Sequence, residues 1–102
     1  MKTKKIKLWH ATAYDNLGSI IARGLQTGCD HVVYACENAT DAAKFVAIRG
    51  VKDILLIQFE VNEQDVDESF DHSQAFFKCK AFAVNHNIKP ESLVSFRRLT
   101  CD

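Results

Sequence analysis

Lys7-Leu8-Trp9-His10-Ala11-Thr12, with the segment that follows it to Gly24-Leu25, decides how this chain is read. From Lys4 to Trp9 polar and apolar residues alternate, with Ile6 and Leu8 on one side and Lys5 and Lys7 on the other. A period of two predicts a strand with one buried face. The strand ends on His10, followed at once by the small residues Ala11, Thr12 and Ala13, which let a ligand approach the backbone. Thr12-Ala13-Tyr14-Asp15 has the Ser/Thr-x-x-acid spacing of a helix N-cap. Leu17, Ile20, Ile21 and Leu25 then recur at helical spacing, and Gly24 sits where a helix stops. The expectation is a histidine at a strand end beside a helix N-terminus whose free N–H groups can hold an anion. The alternative is a strand-to-helix corner with a surface histidine.

Working outward, Gln26 to Asp30 is a polar loop, and His31-Val32-Val33-Tyr34-Ala35 is a β-branched run that reads as a second strand. Asn38-Ala39-Thr40-Asp41 again has cap spacing and opens a helix over Ala42 to Arg49. Ala42, Phe45, Val46 and Arg49 fall on one side of it, with the stem of Arg49 along apolar surface and its charge in solvent. Ile54 to Val61 is the strongest strand, continuously apolar at first and then alternating, as expected of a central strand buried on both faces at one end. The acidic stretch Asn62 to Ser69 reads as a loop or short helical turn. A strand through Phe82 and Val84, a turn at Asn85-His86-Asn87, a turn at Ile88 to Leu93 and a last strand over Val94 to Leu99 complete the chain. Helices early and strands late predict a single α+β domain over residues 1–102, a mixed β-sheet core with two helices in the N-terminal half.

Composition excludes little. The 102 residues are 47% hydrophobic and 25% charged, with 13 basic and 13 acidic side chains, so no net charge draws the chain to nucleic acid or membrane. Lys2, Lys4, Lys5 and Lys7 read as a solvated strand edge. Cys29, Cys36, Cys79 and Cys101 contain no C-x-x-C pair and match no common zinc framework, so reduced thiols and no metal are expected. No apolar run is long enough to span a bilayer, and no signal peptide is evident, so a cytoplasmic protein is expected.

With the strands placed, several motifs together resemble the ADP-ribosyltransferase superfamily, which includes poly(ADP-ribose) polymerase-like domains and RNA 2′-phosphotransferases. Leu8-Trp9-His10-Ala11-Thr12 resembles its first motif. Ser19-Ile20-Ile21-Ala22-Arg23-Gly24-Leu25 resembles the "S-I-x-x-x-G-L" helix end. Val33-Tyr34-Ala35 followed by Ala42-Ala43-Lys44-Phe45 resembles the second motif, and Ile88 to Leu93 the "I-x-P-E-x-L" turn. The resemblance covers roughly residues 6 to 99. It implies NAD as co-substrate, with His10 on a ribose hydroxyl, Ala11 clamping the nicotinamide amide through its backbone, Thr12 as a second polar contact and Tyr34 stacked on the nicotinamide ring.

The chain departs from the family at the third motif. Where the family's polymerases and toxins carry a glutamate, this chain has about Ala81, with no acid from Cys79 to Asn87. The arginine-rich phosphate clamp of the phosphotransferases is also absent, with Asp30 and Val33 where basic residues would stand. Asp71-His72 pairs a carboxylate with an imidazole and is the candidate replacement for catalysis; its other reading is a turn-capping Asp with His72 in solvent. His31 and His86 read as surface residues. The resemblance implies an enzyme that passes ADP-ribose to a macromolecule (protein, RNA or DNA), in the manner of a compact toxin or phage effector. A catalytically silent nucleotide- or protein-binding module and a nucleic-acid-end modifier are the alternatives.

Overall fold

The computed structural model describes residues 4–27, 32–69 and 81–100. Along the chain run β1 (Lys5–Ala13), a 3-10 turn (Tyr14–Asn16), α1 (Leu17–Arg23), β2 (Val33–Cys36) and α2 (Ala39–Ala47). Then come β3 (Asp53–Asn62), a 3-10 turn (Glu63–Asp65), β4 (Val66–Ser69), β5 (Ala81–Val84), a 3-10 turn (Pro90–Ser92) and β6 (Leu93–Thr100). The six strands form one sheet in the order β4-β5-β2-β1-β3-β6, and every pairing is antiparallel. The architecture is α+β, with a sheet core and both helices in the N-terminal half.

β3 explains the layering. Its Leu55, Ile57, Phe59 and Val61 enter one core with Leu8, Ile20, Leu25, Val33, Val84 and Ile88. Ile54 and Leu56 point the other way, into a smaller core with Cys36, Ala42 and Ala43 beneath α2. α2 packs on β1 and on β3, and only Ile54 and Leu56 of β3 enter the core beneath it. Both faces of β3 are therefore dry at that end and only one at the other. That is the physical cause of the continuous-then-alternating apolar pattern.

α2 begins at Ala39, three residues before the sequence expectation. The Asn38 side chain accepts from the Asp41 N–H at 2.9 Å and so satisfies a first-turn donor. At the other end the N–H groups of Ile48, Arg49, Gly50 and Val51 return to the carbonyls of Lys44, Val46 and Ala47, and Gly50 takes φ +89°.

Two local expectations are corrected. Thr12 is not a helix cap: β1 runs on to Ala13 because β3 pairs with it all the way to Ala13↔Ile54. The Thr12 hydroxyl instead accepts from Asn16 Nδ2 at 2.7 Å. The helix proper starts at Leu17, so strand and 3-10 turn separate its N-terminus from His10. The acidic stretch does contain the expected helical turn, at Glu63–Asp65, but Val66–Ser69 then forms an edge strand on β5. A sheet edge accepts charged residues because their side chains stay in water.

Gly24-Leu25 and Ile88, quoted above as parts of separate motifs, meet in space. The Leu25 N–H donates to the Ile88 carbonyl at 2.9 Å, and the Ile88 N–H donates back to Leu25 at 2.8 Å. On the far edge the Arg98 guanidinium grips Asp53 through two hydrogen bonds, at 2.9 and 2.8 Å, and lies 4.0 Å over the Tyr14 ring. Those bonds hold the Asp53 carboxyl below its usual value. His86 is exposed, its ring between the Asn87 carbonyl at 2.7 Å and Asp65 Oδ2 at 3.2 Å. Cys36 is buried; Cys29, Cys79, Cys101 and His31 lie outside the described residues. No helix among the described residues is long and apolar enough to cross a membrane.

Candidate functional site: a cleft between the first two strands

β2 pairs with β5 along its full length but with β1 at one position, Trp9 opposite Cys36. Continuing that register would set Ala11 opposite Tyr34, yet the two strands part there. His10 spans the gap, with Nδ1 2.7 Å from the Tyr34 carbonyl oxygen. A carbonyl only accepts, so the proton is assigned to Nδ1, and the neutral ring presents its Nε2 lone pair as an acceptor. Among the described residues Nε2 has no hydrogen-bond partner. His10 is partly exposed, but desolvation still lowers its pKa below the ordinary 6.5; the hydrogen bond to the Tyr34 carbonyl opposes this in part.

A cavity of about 130 Å³ opens at the divergence. Apolar cavities of roughly 150 Å³ take up benzene, so this one is ring-sized. β1 supplies Trp9, His10 and Ala11 to its walls, and β2 supplies Tyr34, Ala35 and Cys36. α2 overhangs it with Ala42, Phe45 and Val46, and Arg49 stands in the turn beyond. Trp9 is backed by Arg97, whose guanidinium carbon is 5.4 Å from the ring centroid. No carboxylate is among the described lining residues, and Arg49 is their one permanent charge. No group of three or more His, Cys, Asp or Glu that could hold a metal occurs among the described residues.

The structure thus brings His10, Ala11 and Tyr34 to one cleft from elements distant in the chain. Thr12 is not among the cavity-lining residues. Asp71 and His72 lie outside the described residues. Trp9, Phe45 and Arg49 were not read as site residues. The helical stripe of Ala42, Phe45, Val46 and Arg49 was visible in the sequence, but a stripe facing a cavity has the same period as one facing a core.

No protein-family model matches this chain, and no curated protein is significantly similar to it in sequence.

The lowered His10 pKa has a measurable consequence. The unfolded chain takes up the imidazole proton near pH 6.5 while the folded one does not, so this contribution to stability is full above pH 6.5. It is lost as the pH falls from there through the folded value. Urea denaturation at pH 7.5 and pH 5.5 should show wild type losing stability over that interval and His10→Gln losing less. Identical slopes for the two proteins would contradict a desolvated, neutral His10.

Proposed function

We propose that this chain is an NAD-dependent ADP-ribosyltransferase that modifies a macromolecule one ADP-ribose at a time. The observation that carries this reading is the ring-sized cavity at the point where β1 and β2 diverge, spanned by the hydrogen bond from His10 to Tyr34. A nicotinamide ring fits such a space between the aromatic side chains of Tyr34 and Phe45. Ala11 lines the cavity as a small residue that leaves room for the carboxamide, and neutral His10 offers Nε2 to a ribose hydroxyl. In the reaction the bond between nicotinamide nitrogen and ribose C1′ breaks, with its electron pair leaving on nicotinamide. The acceptor's nucleophilic atom then bonds C1′ and gives up its proton to solvent or a base. Apolar walls that exclude water from the C1′ cation favour transfer over hydrolysis.

NAD at a hundred times its Kd should raise Tm by about 11–22 °C, because a ligand bound only by the folded state adds roughly 2.7 kcal/mol and a domain this size gains about 4–8 °C per kcal/mol. Tyr34→Ala and His10→Ala should each remove most of that shift and leave a folded apoprotein. Calorimetry finding no heat of binding at millimolar NAD would end this reading.

The absence of a carboxylate among the described lining residues favours a second reading, a binding module that keeps the pocket without the chemistry. Release of free nicotinamide from NAD separates the two, since only the enzyme produces it.

A further inference from the structure

Arg49 is the feature of the cleft that ring binding leaves unused. It lines the cavity, and among the described residues its guanidinium makes no ion pair and no hydrogen bond. Its neighbours in kind are otherwise occupied: Arg98 grips Asp53, and Arg97 lies over Trp9. An arginine at a helix end commonly serves the last carbonyls. Here Lys44, Val46 and Ala47 already accept backbone N–H groups from the closing turn, at 3.0 to 3.3 Å. Arg49 is thus free of capping duty, while its own backbone is tied down by the N–H bond to Val46 at 3.1 Å.

Position decides what it can hold. Arg49 stands four residues after Phe45, in the turn that closes α2, and both line the same cavity. A ribose on a ring beside Phe45 carries its 5′-phosphate beyond the ring, and Arg49 is the permanently charged residue among the described lining that could meet it. A guanidinium grips two phosphate oxygens at once, which an ammonium does not. With no carboxylate among the described walls to repel it, an anion gains attraction at this rim without an opposing charge.

We propose that Arg49 is the specificity-determining residue of the cleft, holding the phosphate linked through ribose to the bound ring, so that the site selects nucleotides over nucleosides and free bases. This rests on the nicotinamide reading above and adds to it which part of the ligand is recognised.

The probes are nicotinamide riboside and nicotinamide mononucleotide, which share base and sugar and differ by the 5′-phosphate. Calorimetric titration of wild type should give the mononucleotide at least tenfold tighter binding, with an advantage that shrinks as salt rises. Arg49→Gln should bring the mononucleotide down to the riboside's affinity and leave the riboside unchanged. Arg49→Lys should keep part of the preference, because charge remains while the fork is lost. Equal affinity of wild type for the two ligands overturns the assignment and leaves the ring-binding reading standing. An equal loss for both ligands in Arg49→Gln also overturns it, since that marks a structural role. Binding of neither ligand by wild type overturns both readings. The wild-type comparison and its salt dependence decide the matter even if a variant fails to fold.

Discussion

Gly24→Ala should destabilise the protein by about 3 kcal/mol or more, from two additive sources. Gly24 sits at φ +76°, ψ −163°, a region open in practice to glycine alone, and a side chain there costs roughly 1–3 kcal/mol. A Cβ at this position would also overlap the carbonyl oxygen of Ile88. That oxygen cannot move aside, because it accepts the Leu25 N–H in the reciprocal pair that ties the end of α1 to the turn before β6. Forcing it away adds about 1–3 kcal/mol of packing strain. A typical domain has only about 5–15 kcal/mol in total, so the loss is a large fraction. Gly18→Ala is the matched control. Gly18 lies within α1 with open space around it, so alanine should stabilise by roughly 0.5–1 kcal/mol. Urea denaturation of both variants tests the contrast, and a mild effect at Gly24 would mean that the Leu25–Ile88 bridge yields easily.

If the chain is the ADP-ribosyltransferase proposed above, Ala81→Glu should raise nicotinamide release from NAD by at least about tenfold, since preorganised stabilisation of developing charge is large: one oxyanion-hole donor alone is worth about 10²–10³ in rate. The register makes the position suitable: Ala81 of β5 stands directly opposite Cys36 of β2, and Cys36 lines the cavity. Residues directly opposite in an antiparallel pair share a face of the sheet, so position 81 lies on the same face as Cys36. On the ADP-ribosyltransferase reading proposed above, an acid at that point would stabilise C1′ as the nicotinamide leaves, an interaction made mainly in the transition state. It should therefore change kcat more than KM. Ala83→Glu, further along β5 and opposite Tyr34, supplies the same charge at a different register and should give a smaller gain. Equal rates for wild type and Ala81→Glu, with NAD still bound, would show that the cleft holds the ligand away from β5.

The parts of the fold that were legible in the sequence are those with a local cause. The apolar run from Ile54 to Val61 reported a strand dry on both faces at one end, and α2 over that end is the reason. Asn38 announced the start of α2 because a side-chain acceptor for a first-turn N–H is a feature of the residues themselves. Thr12 carried the same local signal and was overridden. A strand with a partner keeps its ladder bonds, and the unbroken β1–β3 register through Ala13 outweighs one capping bond. β4 was hidden for the same reason, since an acidic segment becomes a strand when another strand's free edge lies beside it.

The cleft divides the same way. His10 and Tyr34 could be picked out from residue type and small neighbours, which are local facts, but the strand ends expected at them are not there: β1 runs on to Ala13 and β2 to Cys36. That they meet required the sheet order β4-β5-β2-β1-β3-β6, which sets β2 beside β1, joins them at Trp9 and Cys36 and lets them part beyond. No periodicity records which strands are neighbours, since pairing is chosen by burial across the whole chain. The sequence by itself determined the α+β class and most of the elements, and it singled out His10, Ala11 and Tyr34, which the fold brings to one cleft. Only the tertiary structure decided that Phe45 and Arg49 line a cavity, because a helix shows the same stripe to a cavity as to a core, and what fills the space opposite is set by strands far away in the chain.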